Sequence, residues 1–374
     1  ALRQQYDPMP LDDAQDALAD AMRRAVGERD TPRLTAIRIT AGGGKSTAAL
    51  RQLGVEKRYM EDIGFPFTTD YYVPTHKLGD ELAMKAQAQG LDAVVEKGRK
   101  QVVNDEPVCF KWEAAEKLNC IVSDVAAKIC GNDDVGFCSN YDTCVWRDIK
   151  DRSKTCDLRI RPHEFLTIQA EGVAKKDRRH VDVIVIDEDP ISTLLHHGSV
   201  EIKELCDVTR HDMGEWLLRF AQVVKGELTL ERIEDAGFTE EVCSELIKAE
   251  SVLAPDVEIT PDMDDEQSLK TVTNYDSQWW KYESVWRRLR DCIESRSTNR
   301  IRLSKDKKKL LTNWASIVSA IPVDDDGCVT VQTVLMSATM DRAMIDQFFH
   351  VDKWVEIRVA KHPESVMRQA NAPG

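Results

Sequence analysis

Residues 34–47, LTAIRITAGGGKST, constrain the fold more than any other part of the chain. The six residues LTAIRI read as a short strand that runs into three consecutive glycines, and Ser46–Leu53 continues as a helix. A strand that ends in glycines and enters a helix turns several main-chain N–H groups toward one small volume, a geometry suited to phosphate. Gly42, Gly43 and Gly44 let the backbone approach the ligand, Lys45 is placed to reach the β- and γ-phosphates, and Ser46 and Thr47 supply hydroxyls, Ser46 for Mg²⁺. The short pattern GxGK[ST] is met by Gly42–Ser46. The longer GxxxxGK[ST] is not, because Ile39 stands where its first glycine belongs.

A second string, Val181-Asp182-Val183-Ile184-Val185-Ile186-Asp187-Glu188-Asp189, lies more than 130 residues further on. Four apolar residues followed by carboxylates describe a buried strand whose C-terminal end carries acid. In open α/β sheets that end is where ligands bind. Asp187 is the expected Mg²⁺ carboxylate, and Glu188 the group that orients or deprotonates an attacking water. The two strings together imply a site for ATP with Mg²⁺.

The surrounding pattern alternates strand and helix, which predicts a parallel α/β sheet. Residues 11–26 have helical periodicity (Leu11, Ala14, Leu18, Met22, Val26), 71–74 read as strand, and 79–99 have helical composition. Strand character returns at 329–336 and 354–359, with a helix near 341–349. Two stretches interrupt the alternation. Residues 105–160 hold six of the ten cysteines, with turn chemistry between them. Residues 192–328 read as mainly helical, at 200–205, 213–224, 239–249, 278–295 and 310–321. The expected domains are 1–104, 161–191 and 329–374 as one lobe, 105–160 as a cysteine-rich domain and 192–328 as a helical insertion.

Hydrophobic residues make up 42% of the chain and charged residues 31%, a globular balance. No apolar run approaches the roughly 18–20 residues of a membrane span, and the mixed, acidic N-terminus is no secretory signal. Ten cysteines without such a signal point to a reducing compartment and to metal binding rather than disulfides. We therefore expect a cytoplasmic, or nucleoid- or nucleus-associated, protein with no membrane partner. The missing initiator Met points to a processed or excised start. The net charge of −14 argues against a generally basic nucleic-acid binder, yet residues 287–309, RRLRDCIESRSTNRIRLSKDKKK, form a strongly basic stretch beside the acidic 256–266.

Taken in order, these motifs resemble those of a superfamily 2 helicase. AGGGKST is similar to motif I, Val73-Pro74-Thr75-His76-Lys77-Leu78 to motif Ia, Asp187-Glu188-Asp189-Pro190 to the DEAH or DEAD-type box, and Leu335-Met336-Ser337-Ala338-Thr339 to motif III. The two insertions occupy the slots of the cysteine-rich domain and the helical arch of the iron–sulfur, XPD- and DinG-like members. The resemblance implies a RecA-like P-loop parallel sheet with a cysteine-rich metal-binding insertion and a mainly helical arch-like insertion. It implies an ATP-dependent DNA helicase or translocase lobe acting on single-stranded or forked DNA. By the same resemblance Gln15 contacts adenine, Thr75 and His76 touch the nucleic-acid backbone, and Ser337, Ala338 and Thr339 couple nucleotide to DNA. The box departs from the family pattern as DEDP, and the 35 residues after Thr339 are too few for the second RecA-like lobe, which must be supplied in cis or in trans. Alone, such a lobe is expected to hydrolyse ATP poorly. The competing reading is a non-catalytic metal-containing nucleic-acid-binding module with a relic P-loop.

Among the cysteines, Cys130-x₇-Cys138-x₅-Cys144 is a tight group, and a fourth ligand is to come from Cys109, Cys120 or Cys156. Four thiolates hold either a 4Fe–4S cluster or Zn²⁺. No short C-x₂₋₄-C pair of the kind common in zinc sites is present. We assign Cys109, Cys130, Cys138 and Cys144, with the iron–sulfur cluster favoured and Zn²⁺ as the alternative. Cys206, Cys243, Cys292 and Cys328 are expected in the core. Trp279, Tyr282 and Trp286 share a helical face that suits either a core or a stacking platform. Lys305 and Lys307–Lys309 suit either phosphate contact or a solvated face, whereas Arg99, Lys100 and Lys111 are expected on the surface.

Overall fold

A computed structural model of the chain describes residues 7–28, 31–119, 121–122, 125–167, 180–253, 256–274, 279–316, 318–324 and 328–360. The chain divides into two compact units. One comprises Ala1–Glu96, Ile149–Thr193 and Ile317–Gly374, the other Lys97–Asp148 and Leu194–Ser316. Among the described residues no helix is long and apolar enough to cross a membrane.

The first unit is built on seven strands: β1 (Leu34–Ile39), β2 (Thr69–Val73), β3 (Ala93–Val95), β4 (Leu158–Pro162), β5 (Val183–Asp187), β6 (Gln332–Ser337) and β7 (Lys353–Ile357). They pair in the order β7-β1-β6-β5-β2-β4-β3, and every pairing is parallel. The expected α/β class with a parallel sheet is present. The strands from both long-separated strings flank β6, with Arg38 opposite Ser337 and Met336 opposite Asp187. Their C-terminal ends therefore meet at one edge of the sheet. Helices α1 (Leu11–Gly27), α2 (Lys45–Asp62) and α3 (His76–Gln87) supply Leu18, Met22, Leu50, Leu53 and Leu82 to a core shared with Ile37, Val185 and Met336. A parallel sheet needs such covering; β2 and β5 are buried at every position, and β5 reads as a continuous apolar run, Val183–Ile186, for that reason.

Two expectations differ here. The helix expected over 79–99 ends at Gln87, because Gly90 takes φ +78° and Ala93-Val94-Val95 then pairs beside β4. Strand β4 begins inside the stretch expected to be cysteine domain, 105–160, and runs across its end. Its burial alternates, and its outward residues are Arg159 and Arg161, whose charge masks the strand in sequence. Those arginines are paired inside the unit: Arg159 Nε donates to Asp70 at 2.8 Å and Arg161 Nε to Glu96 at 2.9 Å, with Lys150 Nζ 3.1 Å from the same Glu96 oxygen. Burial pushes the Glu96 carboxyl up, but Arg161, Lys150 and Arg159 outweigh it and hold it at about 2.

The second unit combines both interrupting stretches. Helices Gly214–Val224, Glu240–Val252 and Trp279–Glu294 bury Phe220, Leu246, Trp286 and Leu289 in one core. A second core joins Ala114, Leu118 and Ile129 of the cysteine-bearing stretch to Val257, Ile259 and Val272. The two stretches thus share a hydrophobic core, where the sequence suggested separate domains at 105–160 and 192–328. The helical expectation for 310–321 also gives way: Lys309–Ala315 is a strand, antiparallel to Leu195–Glu201 and to Ile301–Leu303. In KLLTNWA, Leu310 and Thr312 are buried with period two, a spacing that a short apolar run does not distinguish from a helix turn.

Candidate nucleotide and metal sites

The turn after β1 shows why three glycines stand in a row. Gly42 and Gly44 both take φ +81°, a conformation that favours glycine, and a Cβ on Gly43 would fall 2.7 Å from Ile39 Cδ1. Gly44 caps α2, so the helix begins at Lys45 with its first N–H groups facing the loop.

Ser46 and Asp187, 141 positions apart, meet directly: Ser46 Oγ donates to Asp187 Oδ2 at 2.6 Å. Lys45 Nζ lies 2.9 Å from Glu188 Oε1. Ser337 Oγ donates to Glu188 Oε2 at 3.2 Å and accepts from Thr339 N at 3.2 Å, while Glu188 N donates to Met336 O at 2.7 Å. The phosphate-type loop, the acidic box and the Ser337–Thr339 string therefore form one connected group of side chains. Ala338 is half-buried between its two partners.

Two residues that the sequence reading did not single out complete this group. Tyr71, fully buried on β2, donates its hydroxyl to Asp187 Oδ2 at 2.9 Å. His163, just beyond β4, places Nε2 2.9 Å from the Asp187 main-chain oxygen. The only signals in sequence were a polar-tipped aromatic inside an otherwise buried strand and a histidine at a strand's C-terminal end. Burial raises the Asp187 carboxyl pKa, helped by Glu188 and opposed by Ser46, Tyr71 and Lys45. Burial also lowers the His163 pKa, which keeps the ring neutral. Asp187 is 1% exposed, and its Oδ1 accepts no hydrogen bond from the described residues. A buried, unpartnered carboxylate oxygen beside a serine hydroxyl has the donor chemistry for a hard divalent cation.

Beside the loop, a cavity of about 230 Å³ is lined by Gln15, Leu18, Gly43, Gly44, Thr47 and Gln52. It is on the scale of one heterocyclic base, and Gln15 and Thr47 stand at it. Thr75 caps α3, its hydroxyl accepting from Leu78 N at 3.3 Å, and is exposed; His76 opens that helix half-buried.

In the second unit, Cys130 and Cys138 bracket a hairpin of Gly131–Asn132 and Gly136–Phe137, and Cys138 N donates to Cys130 O at 3.0 Å. The turn Tyr141–Thr143 leads to Cys144, and Trp146 N donates to Val108 O at 3.0 Å, beside Cys109. Burial raises the Cys109 thiol to about 11 and raises Cys130 as well; the neighbouring thiols add to both shifts, Cys130 and Cys144 at Cys109, Cys144 and Cys138 at Cys130. The four assigned cysteines are thus electrostatic neighbours. No three His, Cys, Asp or Glu side chains among the described residues are set around a single metal ion.

Arg99 was expected on the surface. Instead its Nη2 is 3.8 Å from Cys130 Sγ and its guanidinium stacks on Trp146 at 4.1 Å. Lys111 is also buried and donates to the main-chain oxygens of Pro261, at 2.7 Å, and Met263. Lys100 is exposed and pairs with Glu116. Cys156 is buried in the first unit, and Cys120 lies outside the described residues. Of the four cysteines expected in the core, Cys243 and Cys292 are buried, Cys206 half-buried and Cys328 exposed. Tyr282 and Trp286 belong to the helical core. A cavity of about 580 Å³ in the same unit is lined by Arg302, Ser304, Lys305 and Lys307.

No family model matches this chain, and no curated protein matches its sequence.

Proposed function

We propose that the chain is the RecA-like N-terminal motor lobe of an ATP-dependent, superfamily 2 DNA helicase or translocase of the iron–sulfur type. The observation that carries this reading is the convergence of Ser46 on Asp187, 141 positions away, and of Lys45 on the adjoining Glu188. Sequence spacing did not require those strings to meet, and their meeting supports one shared ligand.

In this reading Gly42–Gly44 and the first turn of α2 cradle the phosphates, and Lys45 exchanges Glu188 for the terminal phosphate. Ser46 and Asp187 would hold Mg²⁺, which would supply positive charge to the phosphoryl oxygens. Released from Lys45, Glu188 orients the attacking water. Ser337, bonded to Glu188, carries the state of the site into β6, and Gln15 meets the base. Single-stranded or forked DNA is the polymer, with Thr75 and His76 toward its backbone, and a second RecA-like lobe completes the ATP site.

The cysteines fit a 4Fe–4S cluster in number and in having Arg99 to offset thiolate charge; Cys130, Cys138 and Cys144 are partly exposed and Cys109 is buried. The lack of a short C-x₂₋₄-C pair favours the cluster over Zn²⁺, the alternative for the same thiolates.

The test is binding of a fluorescent ATP analogue to wild type and to Lys45→Ala. Loss of the ammonium should weaken binding by more than about thirtyfold, as expected for truncating one partner of a charge-assisted contact. Binding that is absent in wild type, or indifferent to Lys45, overturns the motor reading in favour of a non-catalytic nucleic-acid-binding module.

A further inference from the structure

We infer that Tyr71 and His163 are positioning residues that aim Asp187 and Glu188, a role that rests on the nucleotide-site reading above. Asp187 Oδ2 receives two hydrogen bonds, from Ser46 Oγ at 2.6 Å and Tyr71 Oη at 2.9 Å, whereas Oδ1 receives none from the described residues. Two donors from different elements on one oxygen fix the rotation of the carboxylate. Ser46 belongs to the first turn of α2, next to the glycine loop. Tyr71 belongs to β2, which is hydrogen-bonded to β5 itself, with Tyr71 opposite Val185. The phenol therefore holds Oδ2 from the rigid side and leaves Oδ1 presented.

His163 acts one bond away. A carbonyl oxygen only accepts, so the 2.9 Å contact to the Asp187 oxygen requires a proton on Nε2. Holding that carbonyl fixes the peptide between Asp187 and Glu188. Glu188 takes φ +67°, a left-handed conformation uncommon for residues other than glycine. That conformation sends its carboxylate to both Lys45 and Ser337. Tyr71 thus sets the cation-facing oxygen, and His163 sets the turn that delivers the second carboxylate.

The experiment uses the full chain with Mn²⁺ as a paramagnetic probe and a fluorescent ATP analogue. Three quantities are read: analogue affinity without divalent cation, the Mn²⁺ midpoint with analogue present, and the melting temperature. Tyr71→Phe keeps the packing and removes one hydroxyl. It should raise the Mn²⁺ midpoint about tenfold, the scale of one hydrogen bond to a charged group, with cation-free affinity unchanged. His163→Leu should raise the midpoint as well, and His163→Gln, which retains a donor at the same reach, should restore it. A midpoint unmoved by Tyr71→Phe, or His163→Gln as impaired as His163→Leu at equal melting temperature, overturns the positioning role. Either result leaves the nucleotide reading intact if Lys45→Ala still weakens binding by more than about thirtyfold. Wild type that binds no analogue overturns both.

Discussion

The two chemically loaded regions differ in how far the protein has already arranged them. At the end of the parallel sheet Asp187, Glu188, Lys45, Ser46 and Ser337 are tied to one another, with one carboxylate oxygen left over. In the cysteine region main-chain hairpin and turn bonds set where the thiols stand, and Arg99 approaches one of them. On the proposed function the contrast has a reason. The first region would hold a phosphate ester and a cation that exchange, so a prearranged site would need little rearrangement. A thiolate-bound centre in the second would stay, and its own bonds would supply part of the order.

Changes at the cysteines test that contrast most severely. Cys138→Ser should abolish bound iron, read as loss of broad visible absorption and of iron by elemental analysis, while analogue binding in the sheet unit changes less than about twofold because the two sites belong to different compact units. A colourless wild-type protein with stoichiometric zinc would replace the cluster by Zn²⁺. Next in size is Glu96→Gln. Its carboxyl is held at about 2 against 4.5, so it contributes about 3 kcal/mol at neutral pH. Because the folded-state pKa is the lower one, that stability is complete above pH 4.5 and is lost as pH falls toward 2. Urea melts at pH 7 and pH 3 should show the variant less stable at pH 7, with the gap narrowing at pH 3. A constant gap would mean that packing, and not charge, orders this part of the sheet.

The smallest effect is expected for Lys305→Ala with Lys307→Ala, at the basic cavity of the second unit. Stability should move by no more than about 0.5 kcal/mol. If this face follows a DNA backbone, the slope of log affinity against log salt for single-stranded DNA should fall by about 1.4, from two phosphate contacts at about 0.7 each. An unchanged slope assigns these lysines to solvent and leaves the sheet unit as the site of strand contact.

Legibility followed the range of the interactions. Strand β1 matches the stretch 34–39 read from sequence, and the helices Gly214–Val224, Glu240–Val252 and Trp279–Glu294 match theirs within a residue or so at the start. In each case a local apolar period sufficed. Strand β4 was missed because Arg159 and Arg161 look solvated until Asp70 and Glu96 are known to face them. Strand Lys309–Ala315 was read as helix because its partners, Leu195–Glu201 and Ile301–Leu303, lie elsewhere in the chain. The surface role expected for Lys111 failed for a related reason, since the carbonyls it satisfies are 150 and 152 positions away.

By itself the sequence determined the α/β class, the glycine turn and the chemical identity of Lys45, Ser46, Asp187 and Glu188. Those depend on backbone conformation and residue type over a few neighbouring positions. Only the tertiary structure decided that the two strings share one site, that Tyr71 and His163 hold it, and that the two interrupting stretches share a core. The physical reason is that strand order and side-chain reach bring together groups that no local period connects, and a hydrogen bond exists only where both partners arrive.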